Sequence, residues 1–318
     1  MNYKSFSDLS DDIRHGLFQV QSQNYDLVVG LPRSGMVPAY MIALYLNIEC
    51  TDLNALIKNT PLKKGESRKY KADLCLPQEA KKILVVDDSI KSGLSLARDL
   101  KSIPDDIRGK VTTLVIYSSL SSRNDVDYFF EYLPIPRVFE WNVFHHSVLL
   151  NSCVDIDGVL CLNPTDEEND DGERYLIFIL NAKPLFLPAY KIHSIVTSRL
   201  EKYRKETEHW LLKHNIIYDN LIMLDLPSKE ERQRLSAHAS HKSAYYKKSE
   251  TKFFIESDVG QSIKICESAG KPVFCVDNNR LYTPSLIKKL SNNVSGFKKY
   301  IRWEFLKKLK EFLKMKWS

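Results

Sequence analysis

Two stretches run an apolar segment straight into acids, KILVVDDSIKSGLSL at 81–95 and SCVDIDGVLCL at 152–162. In the first, Ile83 to Val86 lead into adjacent carboxylates, Asp87 and Asp88. A buried strand ending there brings both acids to the carboxyl edge of a parallel sheet, where open α/β folds bind ligands. Ser89, Ile90, Lys91, Ser92 and Gly93 then lead into a helix. Backbone N–H groups of such a turn point at one spot, and the helix N-terminus adds positive potential, which makes a phosphate cradle. Two acids one step away suit vicinal hydroxyls, so the combination suits a ribose 5-phosphate. A simple turn cap is the weaker account, because adjacent acids after a buried strand are costly without a ligand or cation. In the second stretch Asp155 and Asp157 stand two apart, and Gly158 permits a sharp turn. With Asp155 last in its strand, both acids reach one magnesium ion or one phosphorus. Two acid-tipped strands suggest two active sites.

The elements that must hold these acids alternate. LVVGL at 27–31 is a short buried strand, and VPAYMIALYL a helix with Pro38 near its first turn. The polar, basic stretch 58–71 is a loop. A strand at 83–86, a helix from Leu94 to Lys101 and the strand VTTLVIYSS follow, the pattern of a parallel α/β sheet. The Pro-punctuated segment 132–146 closes this first domain. A second α/β run starts at CVDIDGVL. It continues through an acidic loop at 163–174, read as solvated, a strand end at 193–199 and the helix LEKYRKETEHWLLKHN. LIML, KFFIESD and PVFCVDNN are three more strands. The fold class is α/β with two Rossmann-like domains, 1–148 and 149–290, followed by a basic amphipathic helix over 291–318.

ILVVDDSIKSGLSL closely resembles the diphosphoribose-binding motif of the type I phosphoribosyltransferases. VVGLPRSGMVPA upstream resembles their pyrophosphate loop, with Gly30, Arg33, Ser34 and Gly35 as the implied pyrophosphate contacts. The loop at 58–71 stands where that family has a mobile lid. The resemblance covers about 1–145 and implies that phosphoribosyl diphosphate (PRPP) and Mg²⁺ bind at Arg33, Ser34, Gly35, Asp87, Asp88, Ser89, Ile90, Lys91, Ser92 and Gly93. It implies too that C1 of the ribose is attacked as pyrophosphate leaves. Lys91 stands where purine-using members often carry an acid, and no clear hood segment for a nucleobase is evident. Both point to an acceptor other than a purine.

VDIDGVL resembles motif I of the haloacid dehalogenase-like phosphatases, and the resemblance spans about 149–285. It implies Asp155 as nucleophile and Asp157 as acid and then base. Thr197 of SIVTSR would bind the phosphoryl oxygens. Lys242, with Lys247 and Lys248 as alternatives, would offset charge. Glu256 and Asp258 would join Asp155 and Asp157 at Mg²⁺. About 40 residues separate Asp155 from Thr197, so the fold has a small cap or none. An open site of this kind suits a bulky substrate. His238 and His241 are read as a polar helix face rather than a metal pair.

Totals narrow the partners. The chain has 318 residues and a net charge of +6, and residues 296–318 alone hold eight Lys/Arg and two Glu. The body is therefore neutral, which argues against a nucleic-acid binder. No apolar run approaches the ~20 residues that span a bilayer, and the N-terminus lacks a basic-then-apolar signal segment. The six cysteines at 50, 75, 153, 161, 266 and 275 form no CxxC pair and are read as buried thiols, with a cytoplasmic location. In the tail, Phe305, Leu306, Leu309, Phe312 and Leu313 stand at helical spacing among lysines. That suits a helix packed on its own domain, a membrane-surface contact through 297–318 on the inner face of the membrane, or a partner protein.

Together these readings give a bifunctional enzyme. It transfers ribose 5-phosphate from PRPP to a glycan acceptor, lipid-linked in one form of the reading, and then removes the 5-phosphate, as in bacterial surface-polysaccharide ribofuranose systems. A nucleobase transferase fused to a nucleotide 5′-phosphatase is the alternative, and a PRPP-sensing regulator the non-enzymatic one.

Overall fold

The computed structural model describes residues 1–63, 65 and 69–292. The chain divides into two compact units, with the boundary between Trp141 and Asn142, seven residues before the expected one. The loop expected as a lid at 58–71 lies partly outside the described residues. The tail beyond Asn292, with the membrane contact expected at 297–318, lies wholly outside them.

In the first unit the order is β1 (Asn2–Lys4), α1 (Phe6–Gly16), α2 (Phe18–Gln21), β2 (Leu27–Gly30), α3 (Met36–Leu46), β3 (Glu49–Asp52), α4 (Leu53–Lys58), β4 (Ile83–Ile90), α5 (Leu94–Lys101), α6 (Asp105–Arg108), β5 (Val111–Ser118), β6 (Tyr128–Tyr132) and β7 (Arg137–Phe139). Five strands form a parallel sheet in the order β3-β2-β4-β5-β6. β1 and β7 pair apart from it, also in parallel. The central strands carry unbroken apolar runs, at 27–29, 83–86 and 114–117, because both faces are covered. Alternation divides them. Leu84 and Val86 join a core with Leu9, Ile13, Val28 and Ile42, while Ile83 and Val85 join Leu27, Val29, Leu96 and Ile107. α1 starts at a capping box between Ser5 and Asp8.

β4 departs from the sequence expectation. It passes Val86 and stays in register to Ile90, with Asp87 opposite Val115, Ser89 opposite Tyr117 and Ile90 opposite Ser118. β5 is itself eight residues long, and its ladder carries β4 past the acids. Ser89 and Ile90 therefore belong to the strand, and Ile90 is buried in the core. Only Lys91, Ser92 and Gly93 form the turn.

The second unit contains β8 (Ser152–Val154), α7 (Glu173–Asn181), β9 (Ile192–Leu200), α8 (Arg204–Lys213), β10 (Tyr218–Leu224), α9 (Lys229–Arg234), α10 (Ala237–Lys248), β11 (Phe253–Glu256), α11 (Val259–Ala269), β12 (Val273–Cys275), β13 (Arg280–Tyr282) and α12 (Pro284–Asn292). The sheet order is β10-β9-β8-β11-β12-β13, parallel except for β13. β8 lies between β9 and β11, so the residue after it emerges mid-sheet. The acidic loop is more than solvated. Asp170 accepts N–H bonds from Gly172 (2.9 Å) and Tyr175 (3.0 Å), starting α7. Asp171 pairs with Lys202 (3.0 Å) and accepts from the Lys229 N–H (2.9 Å). Four cysteines, 153, 161, 266 and 275, are buried, whereas Cys75 is exposed and Cys50 half-buried. No helix among the described residues is long and apolar enough to cross a membrane.

Candidate functional site

In the first unit, Leu31 N–H donates to Val86 O (2.9 Å), which lays the turn after β2 against the end of β4. A Cβ at Gly35 would stand 2.7 Å from Leu31 O and 2.9 Å from both Asp87 Oδ1 and Val86 O. Glycine alone permits that approach. Ser34 Oγ donates to Asp88 Oδ1 (2.9 Å), Trp141 Nε1 to Asp88 Oδ2 (2.8 Å), and Asp88 N–H to Asp87 Oδ1 (2.8 Å). Burial, and then the charge of Asp88, push the Asp87 carboxyl up to about 8. Among the described residues neither acid has an ion-pair partner within 4.0 Å.

The structure thus gathers Ser34, Gly35, Asp87 and Asp88, with Gly30 ending β2 just before them. Arg33 is exposed on the turn. At the far end of β4, Gly93 takes the left-handed φ of 79° and begins α5. A Cβ there would come within 2.2 Å of Asp125 Oδ2. Arg123 pairs with Asp125 (2.6 Å) and donates to Lys91 O (3.0 Å), so the turn 91–93 is tied down from outside. Lys91 and Ser92 are exposed. Ile90 contributes its carbonyl, which accepts from Arg137 (2.8 Å). Trp141 stacks on Phe139 with ring centroids 4.8 Å apart and lies 5.4 Å from Phe6.

In the second unit, Asp155 directly follows β8, and its N–H donates to Ile255 O (3.0 Å). Lys242 Nζ, from α10, donates to Asp155 Oδ2 (2.6 Å) and to Glu256 Oε2 (2.7 Å). All three side chains are buried. Burial pushes Asp155 up to about 7, against the opposing pull of Lys242. Burial also depresses Lys242, but Asp155 and Glu256 outweigh it and hold the ammonium above its ordinary value. Lys247 and Lys248 are exposed at the end of the same helix, so Lys242 is the lysine brought to the acids. Thr197 is buried in β9 and lines the same cleft, of about 280 Å³, as Asp155, Asp157 and Lys242. Gly158, at φ 79°, lets the chain turn beside Ser257.

Of the four acids expected at one metal ion, Asp155, Asp157 and Asp258 line one cleft and Glu256 does not, and each has a protein partner. Asp157 is clamped by Arg199, whose Nη2 lies 2.6 Å from Oδ1. Glu256 gives one oxygen to Lys242, and the other accepts from the Ser257 N–H (3.1 Å). Asp258 caps α11 through the Gln261 N–H (2.8 Å). Among the described residues no group of three His, Cys, Asp or Glu side chains is arranged to hold a metal ion. The acids that line the cleft beside Asp157 are Asp155, Asp258 and Asp277, and the last was not anticipated.

Other participants escaped the sequence reading. Arg199 stood in plain view two residues after Thr197, and an arginine near the end of a buried strand was the available signal. His238 is not part of a polar face. It lines the cleft, and burial, aided by Arg232 and Lys242, pushes its imidazole down to about 4. Arg232 and Trp141 carried no local signal.

Residues 2–152 match the family model described as "Phosphoribosyl transferase domain", just under half of the chain. A search of curated proteins found no match. Among solved structures, a purine phosphoribosyltransferase from Pyrococcus horikoshii is similar at 16% identity, over 44% of this chain and 92% of that one, with a TM-score of 0.33. The Helicobacter pylori xanthine-guanine-hypoxanthine phosphoribosyltransferase is similar at 23% identity, over 45% and 92%, with a TM-score of 0.34. A Neisseria gonorrhoeae protein with bound ppGpp follows at 13%, over 45% and 90%, with a TM-score of 0.31.

Proposed function

We propose that the chain is a bifunctional enzyme that transfers ribose 5-phosphate from PRPP to a glycan hydroxyl and then removes the 5-phosphate. The first step belongs to the unit that matches the phosphoribosyltransferase family model. Asp87 and Asp88 hold the ribose hydroxyls, the turn 91–93 receives the 5-phosphate, and the loop 31–35 receives pyrophosphate. The acceptor oxygen bonds to C1, the C1–oxygen bond to pyrophosphate breaks, and the acceptor's proton is released. Mg²⁺ accompanies PRPP in the reaction this resemblance implies.

The observation that carries the second step is Lys242 bridging Asp155 (2.6 Å) and Glu256 (2.7 Å) in a cleft shared with Asp157 and Thr197. Asp155 attacks the phosphorus, the bond to the sugar oxygen breaks, and Asp157 supplies that oxygen's proton. Water, deprotonated by Asp157, then cleaves the aspartyl-phosphate to inorganic phosphate. Arg199 keeps Asp157 oriented, and Thr197 supports the phosphoryl oxygens. Asp155 and Asp258, hard oxygen donors lining the cleft, would be the residues to hold Mg²⁺, which when bound would neutralise charge on the phosphoryl group.

Incubation with PRPP, Mg²⁺ and candidate glycans should add the mass of pentose phosphate and then lose phosphate. Asp155→Asn should stop at the phosphorylated product. An unchanged final product from that variant would refute the two-step scheme. One feature favours a nucleobase acceptor instead, namely the flat rings of Phe6, Phe139 and Trp141 gathered next to Asp88. Screening bases with labelled PRPP separates the two acceptors.

A further inference from the structure

The cleft of the second unit holds one cation that its acids do not account for. Lys242 is engaged by Asp155 and Glu256, and Arg199, behind the cleft, is engaged by Asp157. Arg232 lines the cleft and is only 6% exposed, yet among the described residues no carboxylate pairs with it. Its Nη1 donates to the Ser198 carbonyl (2.8 Å), and its Nε is buried with no hydrogen-bond partner. Ser198, 8% exposed, lines the same cleft, and its Oγ is likewise buried and unpartnered. A buried guanidinium without a counter-charge, beside an idle hydroxyl, is destabilising in the empty cleft. Two independent unpaired donors in one concave site are satisfied once an oxyanion joins them.

The position of these donors matters as much as their chemistry. Asp155, Lys242 and Glu256 come from the end of β8, α10 and β11. Arg232 comes from α9, and the Tyr175 phenol beside it from α7. Neither helix supplies a member of the Asp155–Lys242–Glu256 cluster. The scissile phosphoryl group already has Lys242 and Thr197.

We propose that Arg232 and Ser198 form an anion subsite that takes a second oxyanion, carboxylate or phosphate, carried on the leaving portion of the phosphatase substrate. The inference rests on the phosphatase reading and narrows its substrate class to phosphomonoesters bearing another negative group. His238, held neutral, adds a polar contact without adding charge. For a glycan-borne ribose 5-phosphate, the second anion would be an acidic substituent of the glycan.

The test uses the full chain and two size-matched substrate pairs. One is 3-phosphoglycerate against glycerol 3-phosphate, for a carboxylate. The other is ribose 1,5-bisphosphate against ribose 5-phosphate, for a phosphate. The wild type should prefer the doubly anionic member of at least one pair by tenfold or more in kcat/KM, through KM. Arg232→Gln should raise KM for that member at least tenfold more than for its partner, and Arg232→Lys should recover part of the difference. Ser198→Ala removes no internal side-chain hydrogen bond, so it should fold normally and lower the same preference several-fold. Equal loss for both members of each pair would place Arg232 on the scissile phosphoryl group and overturn the subsite, as would a wild type with no preference.

Calorimetry of both members of each pair binding to Asp155→Asn, with and without Ser198→Ala or Arg232→Lys, separates the two claims. If neither ester is hydrolysed but tighter binding of the doubly anionic member depends on these residues, the subsite stands and the phosphatase reading falls. If hydrolysis occurs and the dependence is absent, the subsite falls alone.

Discussion

The two acid sites solve one electrostatic problem in opposite ways. In the first unit Asp88 is satisfied by neutral donors, a serine hydroxyl and an indole N–H, while Asp87 receives a backbone N–H. In the second unit Asp155 and Asp157 are each held by a buried cation, Lys242 and Arg199. Neutral donors leave the charge of Asp88 uncompensated, and Asp87 beside it is pushed up to about 8, so the first pair is left open to hydroxyl donors and to positive charge arriving with a ligand. Cations hold the second set in place, Lys242 on Asp155 and Arg199 on Asp157. The two pairs thus differ less in the acids than in what surrounds them.

Breaking the cationic support should have the largest effect. Lys242→Met leaves Asp155 and Glu256 buried without their shared partner, and should cost about 3–5 kcal/mol in urea unfolding of the second unit. A loss below about 1 kcal/mol would mean that the two carboxyls are protonated at neutral pH and need no cation. The neutral support should be worth less. Trp141→Phe keeps the ring stack but removes the N–H on Asp88, and should cost about 1–3 kcal/mol, with weaker PRPP binding by calorimetry. The finest discrimination is by pH. Asp87 is held near 8 in the folded chain, above its unfolded value of about 4, so the folded state keeps a proton that the unfolded state releases. Ligand-free stability should therefore fall as pH rises from about 4 to about 8. Asp87→Asn should flatten that slope, and an equally steep slope in the variant would assign it elsewhere.

The acids themselves were legible because each follows an uninterrupted apolar run, and a strand buried on both faces leaves that signature. The parallel character of both sheets followed from alternation of strands and helices. The length of β4 was not legible. Its continuation through Ile90 comes from pairing with β5, a contact about 28 residues away in sequence. Local reading therefore placed Ser89 and Ile90 in the turn when the ladder holds them. The contacts made by the expected metal set were not legible for a related reason. The phosphatase resemblance puts Asp157, Glu256 and Asp258 beside Asp155, and in the structure Arg199, the Ser257 N–H and the start of α11 each engage one of them. Arg232 was invisible because its meaning lies in the partners it lacks, which only three dimensions reveal.

The bond from the Trp141 indole to Asp88 sets a practical limit on dissecting the chain. Trp141 is the last residue of the first unit, so a cut a few residues early would deliver a folded sheet whose Asp88 has lost a donor. Under the proposed function such a fragment would bind PRPP more weakly for want of one indole, and the failure would be mistaken for a property of the whole unit. Isolated expression of this half should carry the polypeptide well past that tryptophan.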